Sequence, residues 1–145
     1  MNRRTAFTIV IGAAVLPRLL VLAIERNDLI SGLSEKSDRF ANTLVASGTY
    51  GFMPGRPSAN TQPLYGLFLS GLYWASGRDW LTVGLAQTAL AAVTALLVYA
   101  IGARIASCGI GVLAAVISTV HPYLVWHDVH INREEIGRAS CRERV

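Results

Sequence analysis

Two long stretches without a single charge constrain this chain more than any other feature. Residues 80–103 read WLTVGLAQTALAAVTALLVYAIGA and residues 105–126 read IASCGIGVLAAVISTVHPYLVW, with only Arg104 between them. As helices rising 1.5 Å per residue, each is long enough to cross roughly 30 Å of hydrocarbon. A third run, TAFTIVIGAAVLPRLLVLAI at 5–24, is interrupted only by Pro17 and Arg18. Composition agrees: 52% of the 145 residues are hydrophobic and 15% are charged, whereas soluble domains carry about a quarter charged residues. Mean hydropathy is +0.43. The expected fold is all-α, a polytopic membrane protein with transmembrane helices at about 5–24, 80–103 and 105–126.

Arg3 and Arg4 precede the first run and mark a cytoplasmic N-terminus. A cleaved signal peptide is the competing reading, to which the twin arginine lends some appeal. The apolar region is long, Pro17-Arg18 breaks its middle and no A-x-A site follows, so an uncleaved first span is preferred. The two uncharged runs then form a hairpin turning near Gly102-Ala103-Arg104. Trp74, Trp80, Tyr123 and Trp126 all fall at its outer end, as an aromatic belt does. The expected location is the plasma (inner) membrane, multi-pass. The net charge of +4 is scattered rather than striped, which argues against a nucleic-acid partner. Cys108 and Cys141 support no disulfide framework.

The outer loop, 25–79, carries two helical signals. In SDRFANTLVASG, Ser37 can cap a helix, Phe40, Leu44 and Val45 share a face, and Gly48 stands where helices end. Such a short amphipathic helix suits a membrane surface. After a loop broken by Pro54, Gly55, Pro57 and Pro63, PLYGLFLSGLYWASG (63–77) is apolar but short for a span, and fits a second interfacial or re-entrant helix.

Two polar clusters then lie on the extracytoplasmic side, Glu35 to Arg39 and His127 to Glu134. Asp38, in a first helical turn, is held ionised by the helix dipole and free amides. It can serve as general base toward a hydroxyl, or simply help cap its helix. His127 and His130 share a face if their segment is helical, and with Asp128 or Glu134 can hold a divalent cation. Otherwise they are solvated interfacial groups. Arg133 can grip a phosphate in a bidentate manner. Arg18 lies deep in its span, so it faces a polar interior or snorkels outward. Gln87 raises the same question more weakly. Gly12, Gly66, Gly71, Gly84, Gly109 and Gly111 read as helix-packing positions.

The last residues follow a different logic. EIGRASCRERV (135–145) resembles an in-frame translation of a common sequencing adapter, so native sequence is expected to end near Glu134. A natural basic tail is the alternative. The order of the remaining pieces resembles the membrane-embedded C-type glycosyltransferases that use lipid-phosphate-linked sugars, nearest the branch of protein O-mannosyltransferases and lipid A aminoarabinose transferases. The resemblance rests on an N-terminal span, the SDRF of Asp38, the G-x-Y-G-F of Gly48 to Phe52, TQPLYGLFL, the AQTALAAVTALLVYAIGARI span, and a return ending HPYLVWHDVHINRE. It covers nearly all of residues 5–134, which would then be the N-terminal part of a larger enzyme, inactive alone.

The resemblance implies inverting sugar transfer from a polyprenyl-phosphate donor to an acceptor hydroxyl on a protein, lipid or glycan. It implies Asp38 as base, with Asp128 or Glu134 loosely matching a second acidic position and Arg133 or Arg18 near the phosphate. Arg39, His127 and His130 complete the expected substrate-binding set, and a divalent cation is the one cofactor suggested. Many relatives follow the first acidic residue with another, whereas this chain has Arg39. Two rival readings stay open: a transporter or flippase fragment using Arg18 and Gln87 along a substrate path, and a small non-enzymatic membrane protein.

Overall fold

A computed structural model describes residues 2–24, 36–58 and 63–129. The described residues form six helices: α1 (Arg3–Ile24), α2 (Lys36–Ser47), α3 (Pro63–Ser76), α4 (Trp80–Ile105), α5 (Cys108–Val120) and α6 (Pro122–Val129). Among them there is no strand, only an isolated bridge between Met53 and Arg56. The all-helical expectation therefore holds.

α1 and α4 are long and apolar enough to cross a membrane, and only 22% of each apolar window is buried. They run antiparallel. Phe7 meets Tyr99 edge-on with ring centroids 6.5 Å apart, and Leu22 lies over Gly84, where an added Cβ would come within 2.4 Å of it. Their shared core is built from small residues at fourfold spacing: Ala6, Val10 and Ala14 on α1 face Ala95 and Tyr99 of α4 and Ala115 of α5. Leu16, Leu20, Ile24, Leu97, Ile101 and Ile117 point outward instead. Small residues inside and leucines outside is the pattern of helices that associate in lipid, where backbone proximity replaces the hydrophobic drive.

The hairpin partner departs from expectation at both ends. α4 runs through Gly102, Ala103 and Arg104 to Ile105, so the turn is Ala106-Ser107, and the Ser107 hydroxyl caps α5 by accepting from the Ile110 amide at 3.3 Å. At the far end His121 takes φ −57°, ψ 122°, the extended conformation imposed on a residue that precedes proline. The expected 105–126 span is consequently split into helices of 13 and 8 residues. α5 alone reaches about 20 Å, short of the hydrocarbon thickness. Pro17, by contrast, leaves α1 continuous.

α2, α3 and the first turn of α4 form a second core of Ala41, Leu69, Tyr73 and Val83. α2 already includes Ser37, so that residue sits in the first turn rather than capping it, and the helix stops at Gly48 with φ +68°. Its buried residues are Asp38, Phe40 and Ala41; Val45 faces outward, contrary to the face expected from spacing. Phe40 is clasped edge-on by Tyr50 and Phe52, with centroids 4.8 and 4.5 Å away. Tyr50 in turn covers Gly66, where a Cβ would lie 2.5 Å from its hydroxyl. The G-T-Y-G-F turn and the P-L-Y-G start of α3 are thus one packing unit. Of the other glycines, Gly84 and Gly111 are close-approach positions, but Gly71 faces open space and Gly12 and Gly109 meet nothing nearer than 4.0 Å.

Candidate functional site: two ion pairs at one end of the bundle

The C-terminal end of α1, the N-terminal end of α4 and the C-terminal end of α5 lie together, as the Leu22–Gly84 and Arg18–Thr119 contacts require. Among the described residues, two ion pairs occupy this end.

The first surrounds Arg18, which is 1% exposed. Its Nη1 donates to the Ala14 carbonyl at 2.7 Å, to the Thr119 carbonyl at 3.2 Å and to the Thr119 hydroxyl at 3.1 Å. Nε donates to Asp128 Oδ2 at 3.1 Å, and Nη2 pairs with the same oxygen. Of the two sequence alternatives, the polar interior is therefore the observed one. Arg18 does not snorkel; it ties α1 to α5 and α6. The Asp128 side chain remains 36% exposed, and Arg18 occupies only its Oδ2.

The second surrounds Asp38, which is 3% exposed. The Tyr73 hydroxyl donates to Oδ1 at 2.7 Å, Arg78 Nε donates to Oδ1 at 3.0 Å, and Arg78 Nη2 donates to Oδ2 at 2.6 Å. Burial, then the hydrogen bond and charge of Asp38, push the Tyr73 phenol well above its ordinary range, so it stays a donor. The hydrogen bond to Asp38 raises the Arg78 pKa, outweighing the lowering by burial. Arg78 is held in register by its neighbour: Asp79 caps α4, accepting from the Leu81 and Thr82 amides and the Thr82 hydroxyl. Those bonds lower the Asp79 pKa.

Of the residues named from sequence, then, the fold brings Arg18 to Asp128 and puts Asp38 in its own buried cluster. Arg39 is exposed on α2. The backbone of His127 lies in α6, but its side chain, together with His130, Arg133, Glu134 and the whole of 135–145, falls outside what the structure describes. Among the described residues no three His, Cys, Asp or Glu side chains gather as metal ligands would. Tyr73, Arg78 and Thr119 were missed. Arg78 had a legible signal, since an arginine directly before a helix-capping Asp is fixed in place, but flanking a span it reads as a boundary marker. Gln87, singled out as a polar residue within a span, donates to the Tyr65 hydroxyl at 2.7 Å.

No protein-family model matches this chain, and comparison with curated proteins and with solved structures likewise gives no match.

Proposed function

We propose that this chain is the N-terminal, membrane-spanning part of a glycosyltransferase that moves a sugar from a polyprenyl-phosphate donor to an acceptor hydroxyl at the extracytoplasmic surface of the plasma membrane. α1 and α4 cross the bilayer, α5 and α6 return across it as a broken third span, and α2 and α3 lie at the outer interface. The observation that carries the reading is the Asp38–Arg78 pair: a carboxylate with 4% of its side chain exposed, tied to a guanidinium with 57% exposed. A cation presented outward at a membrane surface suits a phosphate whose lipid tail stays in the bilayer.

When the donor arrives, its phosphate draws Arg78 outward, and Asp38 is left ionised beside the acceptor. Asp38 then takes the hydroxyl proton, the acceptor oxygen bonds to the anomeric carbon, and the bond from that carbon to the phosphate oxygen breaks. Polyprenyl phosphate leaves with the electron pair. It needs no general acid, only the charge stabilisation Arg78 supplies. Tyr73 keeps the carboxylate oriented. Arg18 acts as a positioning residue that holds α6 against the bundle.

The test is transfer by the complete gene product in membranes, given a polyprenyl-phosphate sugar. Asp38→Asn is expected to lower kcat about 100-fold or more. Arg78→Gln is expected to raise the donor KM as well as lower kcat. Asp38→Asn activity within a few-fold of wild type would remove Asp38 as the base and sink this reading.

A further inference from the structure

At the end of the bundle opposite the ion pairs, the faces of α1 and α4 leave a groove of about 880 Å³ between them. Arg3 and Arg4 of α1 and Arg104 of α4 line it, and Phe7, Leu96 and Tyr99 supply its apolar wall. No carboxylate is among its lining residues. The carboxylates of the described residues, Asp38, Asp79 and Asp128, all belong to the other end. Three guanidinium groups over an apolar wall, with no carboxylate of the described residues beside them, form a site for an anion that carries hydrocarbon.

We propose that this groove binds an anionic phospholipid of the cytoplasmic leaflet. Arg3, Arg4 and Arg104 surround the phosphate, and an acyl chain runs down past Phe7 and Leu96 between the two helices. Charge selects the occupant. A zwitterionic headgroup brings its own cation toward the arginines, whereas an anionic one adds only attraction, worth about fivefold in affinity for each basic residue near the surface. The inference rests on α1 and α4 crossing the bilayer and is independent of sugar transfer.

The experiment uses the whole chain in vesicles of equal parts phosphatidylcholine and phosphatidylglycerol, with one or the other lipid carrying a photoactivatable acyl chain. Adducts are mapped by mass spectrometry. Phosphatidylglycerol adducts are expected to concentrate at residues 3–8 and 96–108, which bracket the groove. Phosphatidylcholine adducts should spread over the outward leucines, Leu16, Leu90 and Leu113 among them. Arg104→Gln leaves Arg3 and Arg4 to set orientation and should lower the groove adducts about fivefold with the outer belt unchanged. Arg104→Lys should recover most of that loss.

Equal labelling of the groove by both lipids, with the belt still labelled, overturns the lipid site alone. Absence of labelling on the belt as well overturns the bilayer-crossing reading beneath it. Displacement of the groove adducts by soluble glycerol phosphate at the concentration of the lipid would make this a free-anion site and also overturn the proposal.

Discussion

The two ion pairs that share one end of the bundle are mirror images in exposure. In Arg18–Asp128 the cation is buried and the carboxylate half open, 2% against 36% of the side chain; in Asp38–Arg78 the carboxylate is buried and the cation open, 4% against 57%. In each pair the buried member is fixed by a further neutral group, Thr119 for Arg18 and Tyr73 for Asp38. The buried half is therefore fixed by its neighbours, and the half that faces outward is the one solvent reaches. One end of the protein thus presents both a carboxylate and a guanidinium, and neither pair is a free charge exposed by accident.

If that division is right, removing the outward member should strand the inner one. Asp128→Ala leaves the Arg18 guanidinium buried without a counter-ion and is expected to cost about 3 kcal/mol, read as a lower unfolding temperature in detergent and faster amide exchange in α6. The double replacement Arg18→Met with Asp128→Leu should return stability to near wild type, since an apolar pair of similar volume is often neutral or better than a buried ion pair. Failure of that rescue would mean the pair is needed for more than charge balance.

Arg78→Ala should cost less, about 2 kcal/mol, because an unpaired carboxyl group can be accommodated in its neutral form, whereas a guanidinium stays charged. The same unfolding measurement checks it. A loss exceeding that of Asp128→Ala would break the proposed symmetry. Tyr73→Phe removes one hydrogen bond to a charged group and should cost about 1.5 kcal/mol. It should also remove from an alkaline difference spectrum one late-ionising tyrosine, because burial and Asp38 hold that phenol neutral.

The smallest effect concerns Asp79. Its pKa is lowered in the fold by the Thr82 hydroxyl and amide, so its contribution is present above the unfolded carboxylate pKa and lost as pH falls through the folded one. Asp79→Asn keeps the cap but should abolish that part of the acid sensitivity, measured as unfolding temperature against pH.

Much of this architecture was legible because it depends on local chemistry. Apolar length gave α1 and α4, Gly48 stopped α2, and Asp38 stood in a first turn as read. The break at Pro122 was also written locally, in His-Pro, but an uncharged run judged by length alone hides it. The pairings were not legible. Arg18 and Asp128 are 110 residues apart, and Asp38 and Arg78 are 40 apart, so only the packing of α1 on α6 and of α2 on α3 identifies the partners. Val45 shows the same limit: helical spacing gave a plausible apolar face, and the burial of a charged residue, Asp38, rotated the helix away from it.

Gly102 and Gly111 bring the backbones of α4 and α5 close enough that a single Cβ on either would collide with the other helix, at 2.8 or 2.7 Å. That clasp sits beside the Ala106-Ser107 turn, while Thr119 lies eight residues beyond it on α5, roughly 12 Å further along the axis. Any opening of the hairpin must then be a scissoring about the glycines, with little travel at the hinge and its widest swing where Thr119 meets Arg18. Any pull that Arg18 exerts on Thr119 would then work the long arm of a lever.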